Sequence, residues 1–152
     1  VPPGTVHALG TGVIVAEIQQ NSDATYRVFD WGRDRPLHLE QALDVSNFGL
    51  ADSRPLTPVR LLDDESMRVE LLVECDYFQV ERITMPAGGA FFGLAEGETF
   101  EIFGLLSGGA AVQWEGDAVE LRPVDWALIP AGLGEFQVVA DEPSVMLRVY
   151  VP

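Results

Sequence analysis

Lysine is missing altogether from this 152-residue chain, and cysteine occurs only once, at Cys75. Without lysine there is no P-loop lysine and no Schiff-base nucleophile. With a single cysteine no intrachain disulfide can form and no Cys/His cluster can make a zinc finger, a usage that fits a reducing cytoplasm. No run of about 18 apolar residues is present to span a bilayer, and the N-terminus lacks the basic-then-apolar layout of a secretory signal. Positive charge is scarce as well: nine arginines stand against 24 acidic residues, for a formal charge of −15. Such a balance repels nucleic acid and anionic membrane surfaces, and neither is expected as a partner.

Apolar residues make up 47% of the chain, enough for a real core. They fall in short segments rich in Val, Ile, Phe and Trp, separated by Gly, Pro and Asp clusters, which is the layout of an all-β sandwich or barrel. This punctuation predicts strands at Val13–Gln19, Thr25–Trp31, Arg68–Cys75, Phe78–Met85, Phe100–Ser107, Ala110–Glu115, Ala118–Leu121, Trp126–Ile129, Phe136–Val139 and Val145–Val151. Only Leu39–Val45 carries helical spacing, through Leu39, Ala42 and Leu43. Residues 49–67 turn polar and proline-punctuated (Ser53-Arg54-Pro55, Thr57-Pro58, Asp63-Asp64-Glu65) and read as a linker between segments 1–48 and 68–152.

Two stretches echo one another. Pro2-Pro3-Gly4-Thr5-Val6-His7 and Pro130-Ala131-Gly132-Leu133-Gly134-Glu135 both fit Pro-x-Gly-x-x-(His or Glu) ahead of an apolar strand, implying two related barrels. Proline and glycine make a tight turn there, and the residue three after the glycine opens the next strand.

Pro-x-Gly-x-x-His is similar to the second sequence motif of the cupins, a jelly-roll β-barrel superfamily in which that histidine joins ligands from an earlier hairpin on one divalent metal. His7 by itself cannot build a three- or four-ligand site, so 1–48 reads as the last strands and helix of a truncated barrel. Segment 68–152 reads as a complete, metal-free second barrel. Its hairpin near Glu98–Phe103 holds no histidine, and Glu135 stands where a histidine would be. Phe100, Ile102, Leu105, Val112, Trp126 and Ile129 are its expected filling. A hard cation held by Glu135 with Glu98 or Glu101 is the lesser alternative to solvated carboxylates.

The run Glu17-Ile18-Gln19-Gln20-Asn21-Ser22-Asp23-Ala24-Thr25-Tyr26-Arg27-Val28-Phe29-Asp30-Trp31-Gly32-Arg33, with Leu37-His38-Leu39-Glu40-Gln41-Ala42-Leu43-Asp44, resembles the signature of bacterial type I phosphomannose isomerases. The end of the chain, from Ile129 and from Arg148 to Pro152, resembles the end of that family. The resemblance implies zinc-assisted interconversion of mannose 6-phosphate and fructose 6-phosphate through an enediol. It implies His7 as a zinc ligand, a role that suits a neutral imidazole, and Arg27 as the group stabilising enediolate charge. Asp23 would orient Arg27 or move a proton, or else would only close an Asx-turn. Glu17 would contact sugar hydroxyls or assist proton transfer, or else is a rim carboxylate. Arg33 and Arg35 fit ion pairing with Asp30 or Asp34 better than phosphate binding, and His38 fits a structural role.

On this reading the remaining zinc ligands and phosphate contacts lie outside the chain, the isolated segment is inactive, and its unpaired strands favour self-association by β edges. A non-catalytic bicupin module for sugar binding or interaction, and an iron or manganese cupin oxygenase, are the competing readings.

Overall fold

A computed structural model describes residues 1–49 and 55–152. Part of the expected Ser53-Arg54-Pro55 turn therefore lies outside the described residues. The chain divides into two compact units, Val1–Pro55 and Leu56–Pro152.

Among the described residues of the first unit the one regular element is the expected helix, α1, Leu39–Val45. The strands expected at Val13–Gln19 and Thr25–Trp31 do not form, and both segments run as extended or bent chain. A strand is stabilised by its ladder partner and by cross-strand side chains, and no described residue of this unit offers either. Ile14 accordingly stands 97% exposed. Ala42, on α1, is the only buried apolar side chain among the unit's described residues. The chain start is tied to the helix end: the Asn47 amide donates to the Gly4 carbonyl at 2.8 Å. Gly4 has φ +77°, and a Cβ there would come within 2.6 Å of the Val45 carbonyl oxygen, so only glycine fits.

The second unit holds ten antiparallel strands. They are β1 Val59–Asp63, β2 Arg68–Glu74, β3 Gln79–Met85, β4 Ala90–Ala95, β5 Glu101–Ser107, β6 Ala110–Trp114, β7 Asp117–Leu121, β8 Trp126–Ile129, β9 Gly134–Ala140 and β10 Ser144–Tyr150. One sheet has the order β1-β2-β3-β10-β5-β8 and the other β4-β9-β6-β7. No strand of one pairs with the other, so this is a jelly-roll sandwich of two open sheets and not a closed barrel. Phe91 and Phe136 from the smaller sheet meet Phe103 from the larger, with ring centroids 5.5 and 5.9 Å from Phe103. Around them Ile83, Met85, Leu105, Val112, Val138 and Met146 are almost wholly excluded from solvent.

Two strands were not legible in the sequence. β1 lies inside the expected linker and pairs only with β2, and all five of its residues are exposed, so it carries no apolar alternation. β4 lies between Gly88-Gly89 and Gly97. It follows a third Pro-x-Gly turn, in which the Gly89 amide donates to the Pro86 carbonyl at 3.0 Å, as Thr5 does to Pro2 and Leu133 to Pro130. The expected filling was also out of phase on β5. Leu105, Val112 and Ile129 are buried, but Phe100 and Trp126 are 44% and 45% exposed, and Ile102 is only half-buried. Inward positions on β5 belong to Glu101, Phe103 and Leu105, and a parity error of one residue exchanges every side chain between the faces.

Gly93 faces Phe136 across the β4–β9 ladder, and a Cβ at Gly93 would overlap the Phe136 ring. That ring is 4% exposed and has nowhere to go. Gly93→Ala should therefore destabilise the unit by about 1–3 kcal/mol through overpacking, whereas Gly132→Ala, where nothing lies within 4 Å, should be close to neutral. Urea unfolding curves of the two variants check this.

Candidate functional site

Residues 27–38 form a closed excursion. At its neck the His38 amide donates to the Arg27 carbonyl at 2.8 Å, and the Arg27 amide donates to His38 Nδ1 at 3.2 Å. His38 also serves as the N-cap residue of α1 and meets the Tyr26 ring edge-on. At the tip the Arg33 amide donates to the Asp30 carbonyl at 2.9 Å. Trp31 and Gly32 between them have φ of 54° and 79°, the backbone of a type I′ turn. Holding a tryptophan in the left-handed region costs about 1–2 kcal/mol, so the tip is over-determined by what lies behind it.

What lies behind it is Asp30, 5% exposed. Arg35 grips its carboxylate with both Nε (2.8 Å) and Nη2, and the Arg27 Nε stands 3.6 Å from the same group. The Arg35 hydrogen bonds hold the Asp30 carboxyl below the ordinary carboxylate range, against the opposing cost of its burial. The expected Arg35–Asp30 pairing is thus present, and the carboxylate beside the Arg27 guanidinium in this structure is that of Asp30. Arg27 Nη1 donates to the Pro36 carbonyl at 3.3 Å, and 24% of its side chain remains exposed. Asp30 carries no motif of its own in the sequence; its signal was its place three residues from one arginine and five from another.

Asp23, Glu17 and His7 are all exposed. At Asp23 the local turn is made by Ser22, whose Oγ accepts the Ala24 amide at 3.2 Å, in place of the Asx-turn expected of the aspartate. Among the described residues neither Asp23 nor Glu17 makes an ion pair with Arg27. His7 lies on the chain leaving the Gly4 turn, and its Nδ1 is 2.9 Å from the Thr5 carbonyl oxygen. A carbonyl can only accept, so Nδ1 is the donor in this contact, and Nε2 is the nitrogen turned away from the backbone bond. One donor is not a site, however. Among the described residues no group of three or more His, Cys, Asp or Glu is arranged around a common point.

The second unit carries its polar chemistry inside the sandwich. On β10, Arg148 donates to Glu101 through Nε (2.6 Å) and Nη2 (2.9 Å), and to Glu81 through Nη1 (3.2 Å). Tyr150 donates its hydroxyl to Glu81 at 2.9 Å, and the guanidinium lies over the Phe91 and Tyr150 rings. Glu81 is 5% exposed. Glu101, weighed from sequence as a cation ligand or a solvated rim group, is instead committed to an internal arginine.

No family model matches the chain. Among curated proteins it is similar to the probable mannose-6-phosphate isomerase GmuF of Bacillus subtilis (strain 168), 34% identical over 144 residues that cover 91% of this chain and 44% of that protein. Mannose-6-phosphate isomerase ManA of the same organism is 31% identical over 144 residues, with the same coverage of each. The Streptococcus mutans mannose-6-phosphate isomerase is 29% identical over 148 residues, 93% of this chain and 45% of that protein. The chain thus spans less than half the length of the curated relatives it matches. Among solved structures, the B. subtilis mannose 6-phosphate isomerase superposes with a TM-score of 0.69 at 24% identity, over 86% of this chain and 41% of that one. An RmlC-like cupin from Shewanella frigidimarina gives 0.53 at 10%, over 70% and 92%. The fold is that of the cupins.

Two measurements check the internal cluster. Arg148→Met should cost about 3–5 kcal/mol, because it leaves the Glu101 carboxylate without its partner and Glu81 with only the neutral donors Tyr150 and Gln79. Burial and the Glu81 carboxylate push the Tyr150 phenol up to about 12. A raised acid stabilises the fold below its unfolded value of about 10 and loses that contribution as pH climbs through the folded one. Absorbance at 295 nm should show one of the three tyrosines titrating late, and Tyr150→Phe should remove that late step.

Proposed function

We propose that this chain is the portion of a mannose-6-phosphate isomerase that supplies Arg27 and His7 to the active site and carries the second cupin domain. The single observation that supports it most is the similarity of nine-tenths of the chain to isomerases of mannose 6-phosphate at 29–34% identity. A sugar phosphate, mannose 6-phosphate or fructose 6-phosphate, is the substrate on this reading, and the cytoplasm, which suits a lone free thiol, is its place.

Aldose–ketose exchange moves a proton between adjacent carbons and leaves negative charge on two oxygens. When bound, zinc polarises those oxygens. His7 would be one ligand through Nε2, with the rest donated by residues outside this chain. Arg27, anchored through Asp30 and Pro36, would face the developing charge with donors that never deprotonate. On this reading Asp23 or Glu17, both exposed, would take or return the proton. Among the described residues no helix is long and apolar enough to cross a membrane.

The competing reading is a non-catalytic module. The two readings part in a single assay. The isolated chain, supplied with zinc, should give no fructose 6-phosphate above buffer; in a longer chain carrying the complementary residues, Arg27→Gln should lower kcat by about 10²–10³ while leaving the far-ultraviolet spectrum unchanged. Turnover by the isolated chain would refute the incomplete site, and an unaffected Arg27→Gln enzyme would refute the role of Arg27. With apolar extended segments unpartnered in the first unit, the chain should also sediment as a species heavier than its 16.6 kDa monomer.

A further inference from the structure

We infer that the outer face of the four-stranded sheet is a binding site for a neutral saccharide. One cross-strand row carries it. Phe92 on β4 sits opposite Gln137 on β9, Gln137 opposite Gln113 on β6, and Gln113 opposite Ala118 on β7. All four point away from the core, because their neighbours Phe91, Val138 and Val112 point into it. Over about 14 Å, three strand spacings, the row therefore presents an aromatic ring, two side-chain amides and a methyl group, the floor of a shallow, open hollow.

Each part of the row has the chemistry of sugar recognition. Phe92 is 75% exposed. A flat ring standing out of a sheet offers the C–H face of a pyranose an apolar contact at little entropic cost. Gln137 Nε2 donates to Gln113 Oε1 at 2.8 Å, and this single bond orients both amides while leaving Gln137 Oε1 as an acceptor and Gln113 Nε2 as a donor. Vicinal hydroxyls, which donate and accept at once, complement such a pair. Ala118 keeps the far end shallow, so a second ring can lie beyond the first. Charge selects among sugars: Glu115, Asp117 and Glu135 line the same hollow. Carboxylates accept from hydroxyls but repel phosphate, so the site takes uncharged saccharide and refuses the phosphorylated hexoses of the proposed reaction. It lies wholly within the second unit and does not depend on the isomerase reading.

The test is a nuclear magnetic resonance titration of the ¹⁵N-labelled 152-residue chain with a mannose disaccharide, with mannose 6-phosphate as the charged comparison. The side-chain amide signals of Gln113 and Gln137 should move and saturate at millimolar disaccharide. Phe92→Ala, whose side chain is too exposed to matter for folding, should weaken binding at least about tenfold, or 1.4 kcal/mol, and Gln137→Leu should do the same; unchanged backbone amide spectra confirm that both variants are folded. Mannose 6-phosphate should leave those signals in place. The proposal is overturned if the disaccharide moves nothing at tens of millimolar, if its shifts persist undiminished in Phe92→Ala, or if mannose 6-phosphate moves the same signals equally.

Discussion

Strand pairing is the constraint on which the rest of this molecule depends. In the second unit every strand has a ladder partner, and once β3, β10 and β5 lie side by side their inward residues meet the aromatics of the smaller sheet without further instruction. In the first unit the same kind of sequence, Val13-Ile14-Val15 or Tyr26-Arg27-Val28, finds no ladder among the described residues. It stays extended and wet. Local propensity does not differ between the two regions; the availability of a partner does, in keeping with β-propensity as a measure of fit to a half-buried surface.

Where ladders are lacking, charge and turn chemistry take over. The Asp30 carboxylate binds Arg35 and approaches Arg27, and its backbone carbonyl closes the turn to Arg33, so one residue gives shape to a stretch with almost no core. The second unit uses the opposite distribution, one guanidinium between two carboxylates inside the sandwich. In a chain of formal charge −15, arginine is the limiting charge, and the ion pairs place it where it organises structure. Arg27 keeps part of its guanidinium uncommitted, which is the property a substrate-facing arginine requires.

The sequence made much of the fold legible, and the exceptions have physical causes. Eight of the strands in the second unit were marked by β-branched runs between turn residues; β8 and α1 were marked to the residue. β1 escaped because an exposed edge strand needs no apolar alternation, and β4 because glycines flank it and Gly93 sits inside it. Phe100 and Ile102 were assigned inward because they are apolar, yet Glu101 takes the interior with Arg148 as its partner, a pairing between residues 47 apart that no local pattern announces. The candidate site was legible in its parts more than in their assembly. His7 stood out by motif and Arg27 through the resemblance, while the approach of Arg27 to Asp30 depends on a chain reversal at Trp31-Gly32 that tryptophan rarely makes.

The central claim, that one unit is fully laddered and the other is not, is tested most directly by hydrogen exchange resolved along the chain. Amides of β3, β5 and β10 should exchange only through global unfolding, while in the monomeric chain amides of residues 13–19 exchange within seconds. Strand-like protection across Val13–Gln19 in the monomeric chain would contradict it.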